Sequence, residues 1–217
     1  MGAAMSISPA DSLPDEGLAA RLESRPLTEL PFAAIDFESA GAAPGETDCP
    51  VQVGIVRVEH LFAEPRCFVS YIAPAHAVHW SAARVHGIRT EQLRGAPRYE
   101  ALWPQLRALL GGAVVLGHNP ATEQRFLRRF PGHGFGPWLD TLALARRALP
   151  QAGDYALGSL CGALGIADEV RAMVPERRWH DALFDAAASL VLLRCLCRAL
   201  HMEQAPLAGL SFALKHC

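Results

Sequence analysis

The stretch PFAAIDFESAG, residues 31–41, reads as a buried strand that carries two acids. Its apolar run contains Asp36 and Glu38, which lie two positions apart and therefore project from the same face of a strand. Two carboxylates this close repel each other, and burial makes each charge more costly. A shared proton, arginine partners or a metal ion would offset that cost, whereas a shorter strand would leave both acids in solvent.

The elements that follow this strand predict an α/β fold. Strands are predicted at 51–59 and 66–74, and together with the first strand they form an antiparallel meander. Further strands are predicted at 113–119 and 137–141, and helices at 99–112, 120–130, 141–149, 155–166 and 181–201. This order predicts a mixed sheet with helices on its faces. The last helix is apolar nearly all round, which indicates that it is largely buried.

The composition is that of an ordinary globular protein. The chain has 217 residues and a net charge of −2, so no overall basic field points to a nucleic-acid partner. We expect an N-terminal extension with a short helix at 1–30, a main domain at 31–202, and a C-terminal tail at 203–217 that packs on the domain or lies loose. Six cysteines without a C-x-x-C pair, no visible signal peptide and no run of ~20 apolar residues predict a cytoplasmic protein without a membrane partner.

A further acid follows the predicted strand at 113–119. In the sequence VVLGHNPATEQRFL, Asn119 is a favourable N-cap and Pro120 a favourable first residue of a helix. Glu123 then lies in the first helical turn, where the helix dipole favours an anion. Taken alone, Glu123 is better explained as a glutamate that stabilises the start of its helix.

The sequence RRWHDALFDAAASL, residues 177–190, places three more ionisable side chains at the start of the last helix. Asp181 is expected to cap this helix, with Asp185 about one turn further on and His180 just before the cap. His180 alone is as readily a surface or satisfied histidine. Asp185 is harder to explain in this way, because an unpaired carboxylate against a packed core is costly.

Four acids and one histidine therefore lie on three elements, each near an element end: Asp36, Glu38, Glu123, Asp185 and His180. Such a set fits phosphodiester hydrolysis with two divalent ions ~3.5–4 Å apart, which clamp the phosphate and activate a water. Mg²⁺ and Mn²⁺ prefer the oxygens of carboxylates. A histidine that titrates near neutral pH can accept the proton of the water.

Three stretches also resemble, in order, the motifs of the DEDDh 3′–5′ exonuclease family. They are FAAIDFESAG at 32–41, GHNPATEQRFL at 117–127 and HDALFDAAASLVLL at 180–193, and VHGI at 85–88 and LDTLALAR at 139–146 agree as lesser features. The relatives are of the proofreading-subunit, ribonuclease T and oligoribonuclease type. The resemblance implies an α/β, ribonuclease-H-like fold with a five-stranded mixed sheet flanked by helices, and makes 31–202 the exonuclease domain.

The resemblance also implies a role for each matching residue. Two Mg²⁺ or Mn²⁺ ions would be held by Asp36, Glu38 and Asp185, with Glu123 at the acid position of the second motif and His180 as the general base. The positions implied to contact the substrate are Ser39, Ala40, His118 and Asn119. The implied activity is release of nucleoside monophosphates from the ends of single-stranded DNA or RNA. The implied partners are that strand and a polymerase or another replication or repair protein.

Departures from the family pattern keep other functions open. Glu123 stands where the family has Asp, which adds roughly an ångström of reach, and a ~1 Å misplacement can reduce activity by about 10²-fold. Thr122 replaces the usual Phe, and Ser39-Ala40 replaces the usual Thr-Thr before a long loop at 41–50. One alternative is a weak or inactive exonuclease-fold subunit that binds nucleic acid or a protein partner. Another is a metal-dependent hydrolase of small nucleotides, which would use the same residues in a closed pocket.

Overall fold

The fold is a mixed sheet with helices on both faces, in a computed structural model that describes residues 16–215. Its strands are β1 (Phe32–Ser39), β2 (Pro50–Val58), β3 (Arg66–Tyr71), β4 (Val114–Gly117), β5 (Trp138–Asp140) and β6 (Leu214–Lys215). Its helices are α1 (Glu16–Glu23), α2 (Trp80–His86), α3 (Trp103–Leu110), α4 (Ala121–Leu127), α5 (Thr141–Ala148), α6 (Leu157–Ala163), α7 (Ala167–Met173) and α8 (Ala182–Ala199). Short 3₁₀ turns lie at Leu27–Glu29, Thr90–Leu93, Tyr99–Leu102 and Leu207–Ala213.

The sheet has the strand order β3-β2-β1-β4-β5-β6. Strands β1, β2 and β3 form the predicted antiparallel meander, and β4 and β5 run parallel to β1 on its other side. The predicted five-stranded mixed sheet is therefore confirmed. The two-residue strand β6 adds a short antiparallel edge beyond β5.

Alternation of side chains along β1 separates two hydrophobic cores. Phe32 and Ala34 face the core formed with α8, whereas Ile35 faces the core formed with α3 and α4. Asp36 and Glu38 continue the series of Phe32 and Ala34 along the strand. Both acids therefore extend from the face of β1 that α8 covers.

Helix α8 is the central helix of the fold, and most of its 18 residues are buried, as its apolar sequence predicts. No helix within residues 16–215 is long and apolar enough to cross a membrane. Gly54 of β2 allows α8 to lie directly on the sheet, because a Cβ at this position would come within 2.2 Å of the backbone of Ala182 and Leu183. Gly54 pairs with Asp36, so the first turn of α8 lies beside an acid of β1.

Some predicted elements differ from the structure in detail. The predicted helix at 99–112 is a 3₁₀ turn followed by α3. Helix α7 has no predicted counterpart, because only Val170 of it is buried and its sequence therefore has no apolar period. Asn119 is not the N-cap of α4: its backbone is left-handed with a φ of 64°, and Pro120 takes the cap position.

The segments on either side of the predicted main domain pack against each other and against its core. The Leu27 N–H donates to the Ala205 carbonyl at 3.0 Å. Leu27, Leu207 and Leu210 are buried in the core formed with α8, so the segment after α8 packs on the domain. The boundaries of the predicted extension, domain and tail stay predictions, and the first part of the extension lies outside the described residues.

Candidate active site

Four carboxylates meet at the end of β1, where the first turns of α4 and α8 approach it. Asp36 and Glu38 extend from β1, Glu123 from the first turn of α4, and Asp185 from the first turn of α8. Repulsion from Glu123, Asp185 and Glu38 acts on Asp36. The structure thus brings the four acids together, and they are referred to below as the acid cluster.

The parallel pairing of β1 with β4 positions Glu123. Because Ala34 lies opposite Leu116, β4 ends at the same edge of the sheet as the acids of β1. The chain turns at Asn119 and Pro120 into α4, whose first turn contains Glu123. Glu123 is 6% exposed, so it is not a solvated glutamate that merely stabilises the start of its helix.

A buried glutamine fixes the start of α8 beside Glu38. Asp181 caps the helix as predicted, with its Oδ1 accepting the Leu183 N–H at 3.1 Å. Gln52 of β2 lies opposite Glu38 and is 2% exposed. Its Nε2 donates to Asp181 Oδ2 at 3.1 Å, and its Oε1 accepts the Ala182 N–H at 3.0 Å. Both ends of the amide therefore hold the first turn of α8 against the sheet.

Burial and mutual repulsion raise the pKa of the acids in the cluster. Burial is the largest cause for Asp36, whose pKa lies well above its usual range, and the neighbouring acids raise it further. Mainly through burial, the pKa of Glu38 rises to about 8 and that of Asp185 to about 7. Burial also raises the pKa of Glu123 to about 7, although hydrogen bonds with the backbone of Glu123 itself and of Phe37 lower it. A bound cation would favour the ionised form of each acid.

The donor atoms of the cluster fit a divalent cation. Oδ1 of Asp185 is buried without a hydrogen-bond partner, which is costly unless another group satisfies it. Ligand atoms of Glu38, His180 and Asp185 lie within 4.8 Å of one another. Since carboxylate oxygens are the donors that Mg²⁺ and Mn²⁺ prefer, the residues present fit either ion.

His180 lies on the solvent side of the acid cluster. It is exposed, and its backbone is left-handed with a φ of 63°. The backbone N–H of His180 donates to Asp185 Oδ2 at 3.3 Å. The neighbouring Trp179 packs edge-to-face against Phe184, with ring centroids 4.7 Å apart. This anchored segment keeps the imidazole next to Glu38 and Asp185 while leaving it open to water.

A cavity of about 430 Å³ opens beside the acid cluster. Its lining includes Ser39, His118 and Asn119, which are three of the four positions implied to contact the substrate. Ala40 is the exception, because it is fully buried in a small core with Val51. The side chain of Ala40 therefore has no access to the cavity, and the expected contact of Ala40 with the substrate stays a prediction.

His118 has a structural part in the wall of this cavity. Its Nε2 donates to the Tyr155 carbonyl at 2.8 Å, and its Nδ1 lies 3.0 Å from Thr141 Oγ1. Burial lowers the pKa of His118, which favours the neutral ring. Asn119, by contrast, is exposed at the rim, where Asp140 Oδ1 accepts its backbone N–H at 3.0 Å. Of these two residues, Asn119 is the more exposed.

Three residues that build the site escape the sequence reasoning. His86 ends α2 and lines the cavity, where its Nε2 donates to the Ser39 carbonyl at 3.1 Å and its Nδ1 accepts the Ile88 N–H at 3.0 Å. Burial lowers the pKa of His86, and this pair of hydrogen bonds uses the neutral ring. The VHGI sequence signals the turn at His86. No local pattern identifies Gln52 or Gly54, because their roles depend on how β2 pairs with β1.

A family model described as exonuclease matches residues 33–193. The chain belongs to this exonuclease family. The resemblance to DEDDh exonucleases is thereby confirmed.

Among curated proteins, the chain is similar to a DNA polymerase III subunit epsilon-like protein of Rhodobacter capsulatus. The two are 30% identical over 173 residues, which cover 77% of this chain and 24% of the relative. The chain spans a quarter or less of the length of this and several other curated relatives. The similarity therefore concerns a minor part of those longer proteins.

Solved structures share the fold. Exonuclease X in complex with 5′ overhanging duplex DNA matches with a TM-score of 0.63 at 21% identity, over 83% of this chain and 99% of that chain. The nuclease domain of 3′hExo, a DEDDh family member bound to rAMP, matches with a TM-score of 0.60 at 17% identity, over 86% and 96% of the two chains. The predicted ribonuclease-H-like fold is confirmed by these matches.

Proposed function

We propose that the protein is a metal-dependent 3′–5′ exonuclease that releases nucleoside monophosphates from the ends of single-stranded DNA or RNA. The observation that carries the proposal is the acid cluster, in which buried carboxylates raise one another's pKa and Asp185 Oδ1 has no partner. Each buried acid that is ionised costs stability, and a bound cation would offset that cost. The exposed imidazole of His180 beside the cluster supplies the remaining group that hydrolysis of a phosphodiester requires.

Asp36, Glu38, Asp185 and Glu123 would hold two Mg²⁺ or Mn²⁺ ions. When bound, the ions would polarise the scissile phosphate and stabilise the charge that develops on it. The chain itself positions the carboxylates, because Gln52 holds the start of α8 against the sheet. This contact keeps the carboxylates of strand and helix at a fixed spacing, on which catalysis depends.

His180 would accept the proton of the attacking water. Its ring nitrogen lies within 4.8 Å of ligand atoms of Glu38 and Asp185, which places the imidazole beside the proposed ion site. The hydrogen bond from its own N–H to Asp185 holds it in place. Its exposure lets it return the proton to solvent after each turnover.

The nucleotide at the 3′ end would occupy the cavity beside the acid cluster. The volume of about 430 Å³ lies within the range of small-ligand sites, which suits removal of one nucleotide at a time. Ser39 and Asn119 are the proposed contacts at its lining. His86 and His118 are held by hydrogen bonds to carbonyl groups, so they shape the wall and do not need to move.

A subunit that binds nucleic acid or a protein partner without turnover is the second candidate. The observation that favours it is Glu123, whose longer side chain hydrogen-bonds with the backbone of β1 at Phe37. A carboxylate held in this way has less freedom to ligate an ion. The alternatives differ in one property, since only the first requires that the acid cluster support cleavage.

A polymerase or another replication or repair protein is the proposed protein partner, supported by the name of the epsilon-like relative. The proposed location is the cytoplasm. In support, the cysteines within the described part of the chain are free thiols, as is usual in a reducing compartment.

A strand-shortening assay tests the proposed activity. Single-stranded DNA and RNA labelled at the 5′ end are incubated with Mn²⁺, Mg²⁺ or a chelator. The proteins are the wild type, Asp36→Asn and the control Asp168→Asn, which removes an exposed acid from α7. We expect shortening from the 3′ end with the wild type and the control, and none with chelator or Asp36→Asn.

Cleavage that survives the chelator would contradict the proposal. The proposal would also be contradicted if neither the labelled DNA nor the labelled RNA were cleaved. If the protein then still bound the labelled nucleic acid, the second candidate would be favoured.

A further inference from the structure

A second cluster of metal-ligating side chains lies outside the acid cluster, where the loop between β1 and β2 meets the segment between β3 and α2. One ring nitrogen each of His76 and His79 and one carboxylate oxygen of Glu46 lie within 4.8 Å of one another. Two imidazoles and a carboxylate are a donor set that Zn²⁺ uses in proteins. The cluster shares no residue with the acid cluster, so its function is independent of the proposed exonuclease activity.

Glu46 already points at the cluster. Its Oε2 lies 2.8 Å from His79 Nε2 and accepts the Ala43 N–H at 3.0 Å. The hydrogen bond from Ala43 therefore holds the carboxylate at the cluster.

His76 has the orientation of a metal ligand. Its Nδ1 lies 3.0 Å from the Ala77 carbonyl, while its Nε2 faces the Thr47 carbonyl at 3.1 Å and Cys49 Sγ at 3.6 Å. In metal sites, the ring nitrogen that does not bind the ion usually donates to a backbone carbonyl and thereby fixes the ring. The contact with Ala77 meets this description, and an ion at Nε2 would replace the contact of that nitrogen with the Thr47 carbonyl.

Cys49 extends the donor chemistry of the cluster. Its Sγ lies next to His76 Nε2 and it is a free thiol. Imidazole and sulfur donors suit zinc, whereas Mg²⁺ requires oxygen donors. The cluster therefore selects a different ion from the one that fits the acid cluster.

The position of the cluster gives a bound ion a structural effect near the active site. The loop that carries Glu46 and the segment that carries His79 meet at Ala40, whose carbonyl accepts the His79 N–H at 2.8 Å and whose N–H donates to the Cys49 carbonyl at 2.8 Å. Helix α2 follows His79 directly and ends at His86. An ion shared by loop and segment would connect the residues after β1 with the helix that forms a wall of the cavity.

We propose that Glu46, His76 and His79 form a zinc-binding site that fastens the loop between β1 and β2 to the start of α2. The three side chains supply ligands from two separate segments. The ion replaces the loop's weak polar contacts with coordinate bonds, so it stabilises the folded chain by binding it in preference to the unfolded chain.

Zinc stoichiometry tests this site without reference to activity. Because the acid cluster also attracts cations, the test uses the full chain carrying Asp36→Asn and Asp185→Asn. After equilibrium dialysis against Zn²⁺ with excess Mg²⁺, elemental analysis should find about one zinc ion per chain. His76→Gln combined with His79→Gln should abolish this zinc, whereas the control His60→Gln, which alters an exposed histidine after β2, should retain it.

Thermal unfolding of the same proteins gives a second readout. Zinc at about a hundredfold excess over its Kd should raise the midpoint by roughly 5 °C in the background chain and in the His60→Gln control, and should not raise it in the double histidine variant. Absence of bound zinc from the background chain would overturn the proposal. Equal zinc content with and without His76 and His79 would also overturn it.

Discussion

Two buried sites in this protein carry ionisable side chains, and they differ in how the charge is compensated. Arg194 of α8 is 8% exposed, and its guanidinium donates to the Leu61 carbonyl at 2.7 Å and to the Ala63 carbonyl at 2.9 Å. The acid cluster instead gathers charges of one sign, and Asp185 Oδ1 lacks a partner. Arg194 is satisfied within the fold, whereas the acid cluster keeps mutually repelling acids and an oxygen without a partner. The comparison separates a charge that the fold compensates from charges that the fold alone does not compensate.

The largest expected effect is the loss of activity in Asp36→Asn. We expect a decrease of about 10³-fold, because removal of a direct ligand should exceed the roughly 10- to 100-fold effect of outer-shell partners. The metal-free variant should be at least as stable as the wild type, since one repelling carboxylate is gone. The initial rate of strand shortening and thermal unfolding in chelator measure the two effects. A variant that is less stable than the wild type would contradict the comparison.

Arg194→Met should show the reverse pattern. We expect the free energy of unfolding to fall by about 2–4 kcal/mol, because the buried carbonyls of Leu61 and Ala63 lose their donors. Urea unfolding measures this change. Arg198→Met on the same helix removes an exposed arginine and should cost less than about 1 kcal/mol. Reduced kcat in folded Arg194→Met would show that the arginine is not purely structural.

Glu123→Asp should have a smaller effect than Asp36→Asn. The shorter side chain withdraws the carboxylate by ~1 Å from the position that its hydrogen bond with Phe37 favours, and we expect a decrease of up to about 10²-fold in kcat/KM. Glu123→Gln, which keeps the length and removes the charge, should lose more. The rates of strand shortening at saturating Mn²⁺ compare the two variants. Higher activity of Glu123→Asp would mean that the glutamate weakens the site.

The smallest expected effect is a pH dependence of the metal-free protein. An acid whose folded pKa lies above its unfolded pKa binds more protons in the folded state, so stability falls as pH rises. The pH range over which stability falls lies between the ordinary pKa and the raised pKa of each acid. It extends from 4.5 to about 8 for Glu38 and from 3.8 to about 7 for Asp185. Each extra proton bound by the folded state costs about 1.4 kcal/mol per pH unit, so in chelator the unfolding midpoint should fall by roughly 3–5 °C per pH unit within this range. Asp36→Asn or added Mg²⁺ should flatten the profile, and a flat wild-type profile would contradict the account.

Features that depend on one element could be predicted from the sequence. Asp36 and Glu38 share a face because side chains alternate along a strand, and Asp181 caps α8 because it stands just before a long apolar run. The apolar strands also predicted the antiparallel meander of β1, β2 and β3. The grouping of Glu123 and Asp185 with the acids of β1 needed the resemblance to a family, since no periodicity relates residues so far apart.

Features that depend on contacts between elements could not be predicted. Gln52 and Gly54 are ordinary strand residues until β2 places them opposite Glu38 and Asp36. His118 resembles a ligand-binding residue in the sequence, yet hydrogen bonds to neighbouring elements occupy its ring nitrogens. In each case the decisive partner lies on a segment distant in sequence.

The close approach at Gly54 also bears on how far this sequence can diverge. The spacing of α8 and β2 is set by backbone against backbone, and rotamer changes or exchanges among core side chains do not alter it. Substitutions at most core positions should therefore lower stability without changing the distance between Asp185 and Asp36. Position 54 lacks that freedom: any side chain there would move the helix away, and stability and the alignment of the acids would be lost in one step.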